Sequence, residues 1–302
     1  MSDPTPPTPP TPPSDPRLHT SLRRIESSIL DRQLLAEDFR ERENKDDGLT
    51  IFIPNWNHRS FLPRVLRSAL DALRHLEGEG YSGEILVIDD ASRDGSQRLL
   101  RTVQALYDEP RVKTLCLQQN YGQARLWNVA LRTSRFRYVC RVDADNELEP
   151  NNLPLFLRSV LQTDATMVYG NLIDKQNGEA VGLRSNMPVT MRITTSNYID
   201  AFSIVDAERI LRLGGYTRIH PYSPEDWEMI LHLVQEEQQI VFVPAVLGYY
   251  HIHPLSASGE LKLSKAGVTA LRRVHAQTGT RQWDSIRVGR IYHPDVGFID
   301  EW

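Results

Sequence analysis

The sequence predicts an α/β protein built on a Rossmann-like, doubly wound, mainly parallel sheet flanked by helices, with an added N-terminal helix and a C-terminal helix and tail. Three observations carry that expectation. From Leu49 onward, short runs dense in branched apolar residues alternate with segments whose apolar residues recur at helical spacing. Several of those runs are apolar throughout, as strands covered on both faces are. Clusters of Asp, Asn, Gly and Ser follow the runs directly, where an open α/β sheet presents its ligand crevice.

The elements follow in chain order. Residues 1–16 repeat Thr-Pro-Pro three times, a composition that favours polyproline conformations, cannot build a core and is expected to be a disordered tail. In residues 17–47, Leu18, Leu22, Ile25, Ile29, Leu34 and Phe39 are spaced as one face of an amphipathic helix. Acids and bases mix on its polar face, which favours packing on the domain or on a partner subunit, as in a homo-oligomer, over a membrane surface. LTIFIP reads as the first buried strand, followed by a helix facing inward through Phe61, Val65, Leu66, Ala69, Leu73 and Leu76. EILVID is the second strand, a helix with Leu99, Leu100, Val103 and Leu106 follows, and RVKTLCL is the third. A helix over Gly122–Thr133 and the strand FRYVCRV lead to RVDADN. Later come the helix SPEDWEMILHLV and the strand IVFVPAVLGYY. Leu261–Thr278 reads as a further helix, and the aromatic-rich tail after it as packing on the domain or mediating association.

Composition narrows the function. The 302 residues suit one large or two small domains, and 40% hydrophobic with 25% charged residues is ordinary for a globular protein. A net charge of −4 with both signs interspersed excludes the broad basic face of a nucleic-acid binder. No run approaches the ~18 apolar residues of a transmembrane helix, and the N-terminus lacks a signal-peptide pattern, so the expected place is the cytoplasm, with peripheral membrane contact compatible. Cys116 and Cys140 each sit within an apolar run and read as reduced core thiols.

The strand ends carry the chemistry. PNWNHRS offers Pro54, Asn55, Trp56 and Asn57 but no glycine, so neither the dinucleotide fingerprint nor the P-loop is present. In DDASRDGS, Asp94, Gly95 and Ser96 make a turn and cap the next helix, while Asp89 and Asp90 are left to accept hydrogen bonds from a ribose or a base. In an extended RVDADN, Asp143 and Asp145 point the same way, and a shared cation or hydrogen-bond donors would relieve their repulsion. A plain turn after a strand is the competing reading of that pair. In SPEDWE, Ser223 fits the N-cap and Pro224 the first helical position, and the helix dipole alone accounts for Glu225 and Asp226 in the first turn. In HIHPLSAS, His251 and His253 share a face of an extended segment.

Together, PNWNHRSFL, VIDDASRDGS, QNYGQARLWN, RVDADN, SPEDWE and YYHIHPLSAS occur in an order and spacing that resemble the family 2 inverting glycosyltransferases of the GT-A fold. The resemblance implies a GT-A domain over 48–258, with a nucleotide-sugar-binding half at 48–147 and an acceptor and catalytic half at 148–258; residues 259–302 form the C-terminal addition. It implies a nucleotide-sugar donor, a UDP-sugar, whose nucleotide meets Pro54, Asn57, Asp89, Asp90, Asn120, Gly122, Arg125 and Asp143, with Asp90 on the base. It implies Mn²⁺ or Mg²⁺ held by Asp145, with Asp143 near the ribose and diphosphate and His253 as a late ligand. Asp226, beside Glu225, matches the catalytic base of a single displacement onto an acceptor hydroxyl of a glycan, lipid-linked glycan, peptide or small molecule. His251 departs from the arginine often found there, and it can replace that charge only when protonated. Trp127 is read as helix packing, and Tyr216, Arg218 and His220 as acceptor-side or surface-loop residues. Two rival readings are a nucleotide-sugar-binding protein without transfer activity and a sugar-nucleotide nucleotidyltransferase; PNWNHRS lacks the glycine- and arginine-rich loop the latter needs.

Overall fold

Leu49, Ile51 and Ile53 of β1 (Asp46–Asn55) enter one buried cluster while Phe52 enters another, so the strand is covered on both faces. The same alternation in β2 (Gly83–Asp89) sends Ile85 and Val87 one way and Leu86 and Ile88 the other. The computed structural model describes residues 45–107, 111–194, 196–216, 225–254, 290–295 and 297–299. The expected helix from Leu18 to Phe39, the helix from Leu261 to Thr278, the cap residues Ser223 and Pro224, and Arg218 and His220 lie outside the described residues.

Helix α1 (Leu62–Gly78) covers the first face with Leu62, Val65, Leu66, Ala69, Leu73 and Leu76, all buried; Phe61 stands just before it, half-buried. After β2, α2 (Ser96–Tyr107) leads to β3 (Val112–Cys116), and α3 (Gln123–Thr133) covers the opposite face on the way to β4 (Phe136–Arg141). The strands run parallel in the order β3-β2-β1-β4, so the chain winds outward from β1 and then returns to its other side. The crevice between the carboxyl ends of β1 and β4 is therefore the topological switch point, the place where such sheets take ligands. Cys140 is buried in β4 and Cys116 partly buried in β3, neither in a disulfide.

The second half extends the same sheet. Beyond the short β5 (Glu147–Leu148) and α4 (Leu153–Thr163) come β6 (Met167–Gln176), β7 (Glu179–Arg184) and β8 (Ile204–Asp206). Then follow α5 (Ala207–Arg212), α6 (Glu225–Gln235), β9 (Ile240–Ile252), β10 (Arg290–His293) and β11 (Gly297–Ile299). The three-residue β8 is antiparallel to both β4 and β6 and joins the two halves into one eleven-stranded sheet. Asp206, fully buried at its end, caps α5 through the Arg209 amide at 3.0 Å and receives the Arg137 guanidinium of β4 at 2.7 Å. The aromatic tail joins the sheet: β10 lies parallel to β9, and buried Tyr292 donates its hydroxyl to Gln162 at 2.6 Å.

Gly122 precedes α3 with φ 83° and ψ 161°, a region open essentially to glycine alone. No atom stands within 4 Å of where a Cβ would project, so the constraint is in the backbone. Gly122→Ala is expected to cost about 1–3 kcal/mol from backbone strain, read as a lowered urea midpoint with unchanged slope.

Candidate active site

Because β1, β2 and β4 are parallel, their carboxyl ends lie along one edge, and Asn55 sits in register with Asp89. Asp89 is fully buried, and its carboxylate accepts from Asn55 Nδ2 at 2.6 Å, the Ser92 amide at 2.9 Å and Gln97 Nε2 at 2.9 Å. Asp90, also buried, accepts from the amides of Tyr121 at 2.8 Å and Gly122 at 2.9 Å. Burial pushes its carboxyl above the usual range, and those two amides pull it partway back. These contacts tie the loops after β1, β2 and β3 together. Gly122 and Asn120, whose Nδ2 reaches the Asp90 carbonyl at 3.3 Å, belong to the same knot.

Outside this knot a cavity of about 930 Å³ opens, walled by Trp56, Asn57, Arg93, Arg101, Gln118 and Asn120. Trp56 is 55% exposed at its mouth. Asn57, held at φ 56°, donates its amide to Ser92 Oγ and accepts the Arg93 amide on Oδ1, both at 2.8 Å. Pro54 is half-buried opposite Ile88, and Arg125 stands half-buried in the first turn of α3.

At the end of β4 the chain turns, with the Asn146 amide on the Asp143 carbonyl at 2.9 Å. The extended geometry expected for Asp143 and Asp145 is thereby corrected, and the two carboxylates take different partners. Arg141 grips one oxygen of Asp143 through Nε at 3.0 Å and Nη2 at 2.6 Å, while its guanidinium lies 3.6 Å from the centre of the Trp127 ring. Trp127 is buried as expected and doubles as a platform for that cation. Asp145 meets His253 Nε2 at 3.0 Å, and His253 stacks on Phe61 at 4.7 Å.

Burial and the charge of Asp143 both push the Asp145 carboxyl upward, with His58 and His253 opposing. A divalent cation would offset both causes, and a carboxylate beside an imidazole is a fitting donor pair. Among the described residues no group of three such side chains could hold an ion unaided, so phosphate oxygens and water would complete its shell. His251 does not stand free: its Nε2 pairs with Glu147 Oε1 at 2.7 Å and its amide with Asn146 Oδ1 at 3.0 Å.

The third part comes from α6. Asp226 takes the Trp227 amide at 2.8 Å and Asn197 Nδ2 at 3.4 Å. Burial first, and the charge of Asp200 second, push its carboxyl up to about 6, with Arg141 opposing. Asp200, held by the Phe202 amide at 3.0 Å and facing Arg184 at 3.4 Å, is itself raised by burial and by Asp143. Glu225 is buried beside Asp226 at the start of the helix. Arg141 and Asp200 were not picked out from the sequence. Arg141 carried a signal, since it lies two residues before Asp143 on a strand; Asp200 carried none.

The sequence and the fold find counterparts. Glycosyl transferase family 2 matches residues 50–212, more than half of the chain, and the protein belongs to that family. The undecaprenyl-phosphate 4-deoxy-4-formamido-L-arabinose transferase of Pseudomonas paraeruginosa is 32% identical over 134 residues, 44% of this chain and 38% of that protein. The chain thus matches well under half of that relative's length. Residues 1–349 of S. aureus TarS, solved in complex with UDP-GlcNAc, superpose with a TM-score of 0.60 at 16% identity, covering 76% of this chain and 66% of that one. The mannosyltransferase PcManGT of Pyrobaculum calidifontis, solved with GDP-Man and Mn2+, gives 0.52 at 15% identity, covering 79% of this chain and 67% of that one. These likenesses place the fold among the GT-A glycosyltransferases.

A raised carboxyl makes Asp226 a source of instability. Its contribution is absent below the unfolded value near 3.8, grows as pH rises from there, and is complete above about 6. Asp226→Asn is therefore expected to melt higher than the wild type at pH 7.5 and at the same temperature at pH 3.5, as followed by calorimetry.

Proposed function

We propose that this chain is a metal-dependent, inverting glycosyltransferase that moves a sugar from a UDP-sugar to a hydroxyl of a lipid-linked acceptor. The observation that carries the reading is the link between two acidic stations, Asp143 and Asp145 at the end of β4 and Asp226 on α6, through Arg141, which binds Asp143 and bears on the charge of Asp226. The cavity beyond β2 has the size of a nucleotide site. A UDP-sugar fits the UDP-GlcNAc complex of the TarS neighbour, and a divalent metal fits the Mn2+ complex of PcManGT. The acceptor class follows the undecaprenyl-phosphate transferases among the relatives. No helix among the described residues is long and apolar enough to cross a membrane.

In the proposed reaction Asp145 and His253 hold Mn²⁺ or Mg²⁺, which when bound would neutralise charge on the departing diphosphate. Trp56, Asn57 and Asn120 shape the nucleoside pocket. Asp226 accepts the acceptor hydroxyl's proton as that oxygen bonds to the anomeric carbon, while the bond from that carbon to the phosphate oxygen breaks on the opposite face. A carboxyl near 6 is largely ionised at neutral pH yet basic enough to take a proton in the transition state.

A second reading, in which the nucleophile is a lipid phosphate itself, is favoured by the name of the P. paraeruginosa relative. That oxygen is already ionised and needs no base. The two readings separate in Asp226→Asn: with a hydroxyl acceptor kcat is expected to fall about 10²–10⁴-fold, whereas a phosphate acceptor would leave it nearly intact. For the hydroxyl acceptor, kcat/KM of the wild type should rise with pH and level off above about 6.

Calorimetric titration of UDP with and without Mn²⁺ tests the donor side. Asp145→Ala is expected to abolish metal-dependent binding, and Asp226→Asn to preserve it while losing transfer. UDP binding that ignores the metal and survives Asp145→Ala would overturn the assignment.

A further inference from the structure

Glu147, directly after RVDADN, gathers more positive charge than one carboxylate balances. Its Oε1 meets His251 Nε2 at 2.7 Å, and the Arg64 guanidinium pairs with it electrostatically, with Nε 3.2 Å away. Lys175, in register with His251 across β6 and β9, adds its charge to the same acid. Arg64 comes from the first turn of α1, and its Nη2 donates to the carbonyl of Asp145, so the guanidinium stands against the backbone of the proposed metal-binding residue. It lies 5.4 Å from the centre of the Phe61 ring, and Phe61 stacks on His253, the partner of Asp145. Arg141 is committed to Asp143, with 11% of its side chain exposed, whereas 35% of the Arg64 side chain is open to solvent.

We propose that Arg64 binds the diphosphate of the nucleotide donor, and that Glu147 is an internal counter-ion which holds the guanidinium and His251 in place until the diphosphate displaces it. The inference rests on the nucleotide-sugar reading above. A guanidinium offers the same planar fork to carboxylate and to phosphate, and a diphosphate brings more charge and more acceptor oxygens than one glutamate. Before binding, Glu147 spares Arg64 the cost of an unpaired, half-buried charge. The ring of Phe61 and the Asp145 carbonyl keep the guanidinium oriented, so little side-chain freedom remains to be lost when the ligand arrives.

The test uses the full chain, with UDP and uridine as probes in ligand-detected NMR titrations with Mn²⁺ present, and thermal unfolding to confirm that each variant folds. Arg64→Gln is expected to weaken UDP at least about tenfold and to leave uridine unchanged. Glu147→Gln is expected to tighten UDP severalfold, a gain that misfolding cannot produce. UDP affinity unchanged in Arg64→Gln, an equal loss for UDP and uridine, or weaker UDP binding in Glu147→Gln would each overturn the proposal while leaving the nucleotide reading intact. Wild-type protein that binds neither UDP nor GDP would overturn the nucleotide reading and this inference with it. If GDP binds in place of UDP, the same comparison is made with GDP and guanosine.

Discussion

Two buried carboxylates at the end of β2 hold the crevice in shape. Asp89 gathers the side chain of Asn55, the amide of Ser92 and the side chain of Gln97, and Asp90 gathers the amides of Tyr121 and Gly122. The loops after β1, β2 and β3 therefore meet on one acidic knot. A buried carboxylate is tolerated only when its oxygens are satisfied, and hydrogen bonds to a charged acceptor contribute about 1.5–3 kcal/mol each. The cavity outside owes its walls to this knot: Trp56, Arg93 and Asn120 each lie within three residues of one of its members.

On the other side of the crevice the balance of charge sets the chemistry. Asp143, Asp200 and Asp226 stand in one electrostatic neighbourhood with Arg141 and Arg184. Asp143 pushes the Asp200 carboxyl upward and Asp200 that of Asp226, and the guanidiniums offset only part of that. Trp127 and Asp143 together fix where the Arg141 charge sits, the cation resting 3.6 Å from the ring centre while its nitrogens bind the carboxylate. Asp226 ends up a stronger base than a surface aspartate because it is buried and because Asp200 faces it.

Much of this was legible in the sequence, for identifiable reasons. The strands β1, β2 and β4 and the helix α1 declare themselves through period and burial, both local properties. Glu225 and Asp226 were placed correctly at the start of a helix, because caps and dipoles are local as well. What was missed was long-range partnership. Residue types at the end of β2 show that acids are present, not which loops thirty residues away they bind. RVDADN was read as extended, and the turn closed by Asn146 separates its carboxylates. Pairings set by distant chain were not legible either: β8 wedged antiparallel between β4 and β6, the tail strands β10 and β11, and Asp200 beside Asp226 all depend on tertiary placement.

The wedge of β8 has a further consequence. Its ladder ties the segment carrying Arg141 to the one that follows Asp200, with the Arg141 amide on the Ser203 carbonyl at 3.1 Å. A clamshell motion of one half against the other would have to tear backbone hydrogen bonds in the middle of a continuous sheet. The spacing of β4 and β8 is therefore held by the ladder, and any adjustment at this end of the sheet falls to side chains and loops at its rim.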